Sequence, residues 1–112
     1  MSCLFCGIVA GDIPATVIHQ TARTLAFRDL HPVAPTHVLV IPRDHYPTAG
    51  DLAEADSAYA GELLAAAAAV ARQEGLTGGY RLVSNTGDDA GQSVHHVHVH
   101  VLGGRALGWP PG

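Results

Sequence analysis

The feature that constrains this chain most is a run near its end, residues 96–102, in which histidine and valine alternate. Successive side chains of a β-strand point to opposite faces, so a period of two predicts a strand over residues 97–102. His96, His98 and His100 would then share one face, about 6 to 7 Å apart, with the valines turned toward a core. The run therefore predicts a strand that packs on one side and carries imidazole chemistry on the other.

Three imidazoles on one strand face have two chemical interpretations. A neutral imidazole is a good nucleophile toward phosphorus, and the adduct it forms can be hydrolysed by water. Histidines two residues apart on a strand can also ligate one zinc ion together. A single histidine in a strand is most often a hydrogen-bonded core residue, but three on one face make that interpretation poor. The neighbouring residues have to distinguish nucleophile from metal ligand.

The rest of the chain predicts an α+β fold, with residues 1–112 as a single domain. Branched and aromatic runs between turn residues predict strands over residues 17–20, 24–29, 37–41 and 80–85. Between residues 51 and 75 the apolar period becomes that of a helix, which ends near Gly75 and can start at any of the polar residues Asp51, Asp56 and Ser57. The apolar side chains expected on one face of this helix are Tyr59, Leu63, Leu64, Ala67, Val70 and Ala71.

Composition excludes several classes of protein. A net charge of -4 provides no basic stripe, so no nucleic acid partner is expected, although local donors can still bind a small anion. The longest apolar run, residues 63–71, is far shorter than the roughly 20 residues of a membrane-spanning helix, so no membrane partner is expected. The first ten residues lack the pattern of a secretory signal, which predicts a cytoplasmic protein.

A glycine-containing loop directly precedes the histidines, and its backbone N–H groups and small polar side chains suit a phosphate. The whole run of residues 91–105 closely resembles the signature of the histidine-triad (HIT) family, and residues 109–112 resemble the end of its Hint branch. The resemblance covers nearly the entire chain, because it extends to residues 5–9, 26–29 and 34–42.

This resemblance implies a fold and a reaction. The fold is an antiparallel sheet of about five strands with one long helix and a short N-terminal helix, dimerising into a continuous sheet. The reaction is hydrolysis of the P–N bond in purine nucleoside phosphoramidates, such as AMP joined to an amine. His98 would attack the α-phosphorus and carry the nucleotidyl group, His100, His37 and His96 would support it, and Ser93 would assist the departing amine.

The resemblance also implies a nucleotide site, in which Asp29 holds the ribose while Phe27 and Ile8 form apolar walls. Structural roles are the alternatives, since Asn85 can end a strand and Ser93 can cap a loop. The full set of implied nucleotide-binding positions is Ile8, Phe27, Asp29, Leu30, His31, Asn85, Gly91, Gln92, Ser93, His98, His100 and Trp109, the last of which would reach the pocket of the other subunit.

Cys3 and Cys6 are the only cysteines, and two thiols this close predict a metal pair more readily than a disulfide framework. The resemblance implies that His45 and His96 complete a structural Cys2His2 zinc site that ties the N-terminus to the histidine strand. The alternative is a pair of free thiols. No organic cofactor is expected.

Two other functions stay open. The first is hydrolysis of dinucleoside polyphosphates, as in the Fhit branch of the family, which shares the alternating histidines. Residues 103–105 and the C-terminal tail favour the phosphoramidase instead. The second is a zinc-containing nucleotide-binding protein with a regulatory role, in which catalysis is incidental.

Overall fold

The computed structural model describes residues 3–112 as an α+β fold. An antiparallel sheet of five strands has the order β1-β2-β3-β5-β4. None of the helices in the described part of the chain is long and apolar enough to cross a membrane. The elements are α1 (Leu4–Ala10), β1 (Val17–Gln20), β2 (Thr24–Arg28), β3 (Thr36–Pro42), α2 (Ala49–Ala55), α3 (Ser57–Gln73), β4 (Tyr80–Val83) and β5 (Val99–Gly103), with one 3-10 turn, Asp88–Ala90.

The two faces of the sheet are built from different side chains because the strand period is two. On one face, Val38 and Val40 of β3 pack with Val99 and Val101 of β5 and with the buried side of α3. The opposite face carries Leu39 and its aliphatic and aromatic neighbours, which pack against Phe5 of α1. The strands predicted over residues 17–20 and 24–29 form the antiparallel pair β1–β2, in which β2 ends at Arg28, and the valine-lined core is confirmed.

The helical region predicted between residues 51 and 75 consists of two helices, and of the candidate starting residues Asp56 is the one that caps α3. This residue ends α2 and caps the start of α3, with its carboxylate accepting a hydrogen bond from the Tyr59 backbone N–H at 3.0 Å. The Arg23 guanidinium bonds the same carboxylate at 3.1 Å and stacks on the Tyr59 ring. Local capping thus decides where α3 begins within the apolar period.

The far end of α3 agrees better with its sequence, since the helix ends at Gln73 and Gly75 takes a left-handed φ of 71°. The expectation for Leu64 is wrong, because this side chain is 56% exposed. Leu63 is buried, and the next residue of a helix points about 100° away from it. Ala66 occupies the buried position instead.

Strand β5 begins at Val99, two residues later than predicted. Its first ladder partner is Val40 of β3, so His96 and His98 lie outside the hydrogen-bonded strand. The preceding segment is held by other contacts, among them a bond of 2.7 Å from the Val97 N–H to the Tyr46 carbonyl. The neighbouring strand β4, which forms an edge of the sheet, ends two residues before the predicted limit, at Val83.

Candidate functional site

A cavity of about 410 Å³ opens on the face of the sheet that α1 covers. Phe5, Ile8, Phe27 and Leu39 form its apolar walls. A small apolar cavity with a few convergent polar groups is the usual form of a small-molecule site. The polar residues that line this one are Arg28, Asp29, His31, Ser93, His98 and His100.

The ring of His98 presents one unprotonated nitrogen. Its Nδ1 lies 2.9 Å from the carbonyl oxygen of His96, and a carbonyl can only accept, so Nδ1 carries the proton. Nε2 therefore holds the lone pair. The ring is 6% exposed and meets the Phe5 ring edge-on, with centroids 5.2 Å apart. His98 is thus a buried, oriented base at the wall of the cavity.

His37 and His100 form a hydrogen-bonded pair beside His98, and the backbone assigns their protons. The Val33 N–H donates to Nδ1 of His37 at 3.1 Å, so the proton of His37 is on Nε2. This Nε2–H donates to Nδ1 of His100 at 2.8 Å, which leaves His100 protonated on its own Nε2. Burial lowers the pKa of His100 to about 4, with His98 and His37 adding to the shift, so the ring is neutral at pH 7.

Asp29 completes this group, and we call Asp29, His37 and His100 the histidine–aspartate cluster. Its Oδ1 accepts a hydrogen bond from the His31 backbone N–H at 2.7 Å, and its Oδ2 lies 3.4 Å from Nε2 of His37. Burial lowers the pKa of His37, which the carboxylate opposes. The two neutral rings thus form a donor–acceptor pair with one carboxylate beside it.

A second group, the cysteine–histidine cluster, consists of Cys3, Cys6, His45 and His96. Cys3 caps α1, where its Sγ accepts a hydrogen bond from the Cys6 N–H at 3.4 Å. The spacing of the two cysteines is thus the spacing from a helix cap to its first turn, which brings both thiols to one place. Nδ1 of His96 lies 3.5 Å from Sγ of Cys3 and 3.6 Å from Sγ of Cys6.

This second cluster fits a zinc ion. Tetrahedral bonds of ordinary length put sulfur and nitrogen ligands about 3.5 Å apart, and Nδ1 of His45 also lies 3.4 Å from Sγ of Cys6. Nε2 of His96 donates to the Pro42 carbonyl at 2.9 Å, so its Nδ1 is free to ligate. Burial and the neighbouring Cys3 raise the pKa of the Cys6 thiol, and a cation reverses that effect. The four residues together form a closed ligand set.

The histidine–aspartate cluster does not fit a metal, although its three ligand atoms also lie within 4.8 Å of one another. Nδ1 of His37 accepts the Val33 N–H, so Nε2 could bind an ion only if the ring became an imidazolate. The 2.8 Å separation between the two rings is that of a hydrogen bond. Of the two groups, the cysteine–histidine cluster alone has the proton arrangement of a metal site.

Comparison with known proteins decides the family. The family model described as HIT domain matches residues 10–107. The chain belongs to the HIT domain family. It is similar to a HIT family hydrolase of Legionella pneumophila, with 49% identity and a TM-score of 0.95 over 99% of this chain and 100% of that one. This family assignment confirms that part of the resemblance seen in the sequence.

Two other relatives carry more specific names. A 14 kDa zinc-binding protein of Zea mays is 48% identical over 112 residues, covering 97% of this chain and 87% of that protein. A histidine triad nucleotide-binding protein of Candida albicans is 31% identical, with a TM-score of 0.84 over 99% of this chain and 85% of its own. The five-strand α+β architecture expected from the sequence is thus that of solved HIT structures.

Not every predicted site residue of this HIT protein lies at the cavity. The side chain of Gln92 is buried and bonds the Gly87 N–H and the Pro47 and Val94 carbonyls. Asn85 donates to the carbonyl of Ala90 at 2.8 Å. Both amides hold the loop before the histidines, and Gly91 takes a left-handed φ of 78° within it. Trp109 is 81% exposed and lines no part of the cavity.

Phe5 is one of the cavity residues that sequence reasoning missed. Its ring is buried and packs edge-on against the rings of Phe27, His96 and His98. It was visible in the sequence only as part of the matched run of residues 5–9. A usable signal for Phe5 is its place between Leu4 and Ile8 in the sequence. Residues four apart share a helix face, and both Leu4 and Ile8 line the cavity.

Proposed function

We propose that this HIT protein hydrolyses the P–N bond of purine nucleoside phosphoramidates through a nucleotidyl–His98 intermediate, as in the Hint branch. The observation that carries the proposal is the orientation of His98, whose Nδ1–H is held by the His96 carbonyl so that the basic Nε2 is available at the cavity. The hydrolase and nucleotide-binding names of its relatives support the same conclusion.

In the first step, Nε2 of His98 forms a bond to the α-phosphorus while the P–N bond breaks. The amine leaves with a proton that is taken from solvent and relayed by the hydroxyl of Ser93, which lines the same cavity. Neutral His100 lies next to His98, with ring centroids 5.0 Å apart, and its Nε2–H is a donor for a phosphoryl oxygen. The histidine–aspartate cluster thereby keeps its donor in place without adding a charge.

In the second step, water attacks phosphorus, the bond to Nε2 breaks, and the proton lost by the water returns to solvent. His98 is regenerated, and the nucleoside monophosphate leaves. The apolar walls of the cavity suit a base, and Asp29 at its polar end suits the ribose hydroxyls. Leu30 and His31, which line the same end, would border the nucleoside. Zinc in the cysteine–histidine cluster would be structural, because four protein ligands leave no position for substrate.

The proposal includes a homodimer in the cytoplasm, where thiols such as Cys3 and Cys6 stay reduced. Strand β4 is an edge of the sheet, and its Tyr80 and Leu82 expose apolar surface, as does Leu64 of α3. An exposed apolar edge strand is a ready site for pairing with a second copy. A partner at this edge would extend the sheet, and Trp109 in the exposed tail would be free to reach its pocket. Sedimentation equilibrium measures the assembly directly.

The replacement His98→Ala tests the reaction. We expect turnover of an AMP–amine conjugate to fall by at least about 10⁴-fold, because both chemical steps pass through this ring. Mass spectrometry of wild-type protein quenched during turnover should find the nucleotidyl group on His98. His19→Ala is the matched control, since His19 lies on the edge strand β1 away from the cavity. Near-normal turnover in His98→Ala, or a label on another histidine, contradicts the proposal.

A substrate comparison separates the alternatives. Adenosine phosphoramidate and diadenosine polyphosphate are offered to the same preparation, and we expect a preference for the phosphoramidate. A strong preference for the polyphosphate would assign the protein to the Fhit-like hydrolases. AMP binding without turnover of either compound would favour the zinc-containing regulator. The zinc-binding relative and the cysteine–histidine cluster are the observations that support this alternative.

A further inference from the structure

The position of His98 is not set by the β-sheet. Hydrogen bonding between β3 and β5 begins at Val99, and the segment before it has contacts of another kind. The Val97 N–H donates to the Tyr46 carbonyl at 2.7 Å, and Nδ1–H of His98 donates to the His96 carbonyl at 2.9 Å. The orientation of the nucleophile therefore depends on where residue 96 is held.

His96 is held by its side chain, which belongs to the cysteine–histidine cluster. Its ring is fully buried, with Nε2 bonded to the Pro42 carbonyl at 2.9 Å and Nδ1 within 3.6 Å of both thiols. The ring is thus placed to ligate a metal, while the backbone carbonyl of the same residue orients His98. His45 adds a parallel connection, because the next residue, Tyr46, accepts the Val97 N–H.

A second connection between the cysteine–histidine cluster and His98 runs through α1. Phe5 lies between the two cysteines in sequence, and its ring packs edge-on against His96 at 5.9 Å and His98 at 5.2 Å. The two cysteines fix the first turn of α1, so an ion bound to them also fixes Phe5. Both paths from the metal ligands end on the same imidazole.

We propose that the cysteine–histidine cluster is a positioning site for the nucleophile, and that a bound transition metal sets the rate of attack by holding His96 and Phe5 against His98. The inference rests on the proposed function for its kinetic part only. Small displacements of a reacting group lower the rate of attack while leaving binding of the rest of the substrate intact. The metal therefore acts on kcat from outside the reaction cavity.

His45 provides the cleanest test, because it is the exposed ligand and lies outside the cavity that holds His98. It lines a separate cavity together with both cysteines and Asp12. His45→Ala removes one ligand, and His45→Cys restores four, since three cysteines and one histidine are an ordinary zinc ligand set. Asp12→Asn is the matched control, because it changes the charge of the same cavity without removing a ligand.

We expect zinc-free His45→Ala to lose about 10- to 100-fold in kcat with KM within about twofold of wild type. Zinc-loaded His45→Cys should recover most of kcat, and Asp12→Asn should behave as wild type. Unchanged kcat in metal-free His45→Ala, or no recovery in zinc-loaded His45→Cys, overturns the proposal. If His45→Ala fails to fold by thermal unfolding, wild type stripped with a chelator supplies the same comparison.

A spectroscopic measurement tests the coupling without turnover. In zinc-loaded protein, the ring of His98 should show one tautomer, protonated on Nδ1, with a slowly exchanging proton in nitrogen-15 spectra. Removal of zinc should speed that exchange and mix the two tautomers, while the signals of the α3 core stay unchanged. Absence of turnover in wild type would defeat the proposed function and leave this readout intact. An unchanged His98 ring after zinc removal would defeat the positioning role.

Discussion

Two groups of ionisable side chains flank His98, and similar residue types serve opposite purposes in them. In the cysteine–histidine cluster, the Pro42 carbonyl accepts a hydrogen bond from the Nε2–H of His96, so that Nδ1 is free for a metal. In the histidine–aspartate cluster, the Val33 N–H occupies Nδ1 of His37 and directs its proton toward His100. The backbone partner of each ring thus decides which nitrogen is protonated, and that proton decides between metal binding and proton-mediated chemistry.

Zinc affinity should respond to a substitution in the cysteine–histidine cluster and be insensitive to one in the histidine–aspartate cluster. Cys6→Ser should weaken zinc binding by at least about 100-fold, beyond the usual effect of removing an outer-shell partner, whereas His37→Asn should leave it unchanged. Chelator competition measures the affinity, and cobalt substitution adds a thiolate charge-transfer band that only the cysteine–histidine cluster can produce. Loss of metal in His37→Asn would mean that the two clusters are assigned the wrong way round.

A smaller effect should appear in the pH dependence of stability, through the histidine–aspartate cluster. Burial holds the pKa of His100 at about 4, below the ordinary value of 6.5, so the unfolded chain binds the proton that the folded chain excludes. The stabilising contribution of the neutral His100 ring should therefore be fully present above pH 6.5. The free energy of unfolding should fall as the pH drops toward 4, by an amount on the order of 1 to 2 kcal/mol from His100.

His100→Asn checks this assignment, because asparagine keeps an acceptor for the His37 Nε2–H but does not titrate. Its stability should fall less steeply than that of wild type between pH 6.5 and pH 4.5, as followed by urea unfolding at each pH. His19→Asn, on β1, is the control, and it should keep the wild-type slope. Parallel curves for wild type and His100→Asn would contradict the buried neutral ring.

The smallest effect should come from Tyr59→Phe, because Tyr59 lies nearer to the cysteine–histidine cluster than to the histidine–aspartate cluster. Its hydroxyl donates to the Arg23 carbonyl at 2.7 Å and accepts from the Asp44 N–H at 3.3 Å, next to His45. Loss of these bonds should cost about 1 kcal/mol in urea unfolding and lower zinc affinity a few-fold, with no change in the pH slope. Tyr80→Phe, at an exposed position on β4, should change neither quantity.

The sequence predicts best what depends on local periodicity. Alternation is enough to separate Leu39 from Val38 and Val40, and it places the valines near His98 in the core. Periodicity does not choose among the possible helix starts, whereas in the structure the carboxylate of Asp56, bonded to Arg23, caps α3. A side chain that caps the helix in this way depends on a partner more than 30 residues away, and no window of the sequence contains both.

The family resemblance predicts the site residues, but it does not predict their protonation. The ligand set of Cys3, Cys6, His45 and His96 is expected from resemblance, and the structure brings these residues together. Which nitrogen of each ring is free depends on carbonyl and amide groups contributed by distant segments. The same holds for the late start of β5, which depends on the Tyr46 carbonyl. Contacts of this kind can be read only from three-dimensional structure.

Strand β3 is buried along its whole length on both faces, and this has a consequence for how such a chain can diverge. Loss or gain of one residue within it would turn His37, Leu39 and Ile41 toward α3 and expel Val38 and Val40 from the core, so packing and chemistry would fail together. Descendants of this protein can therefore exchange side chains inside β3, but changes in chain length are confined to the loops around it.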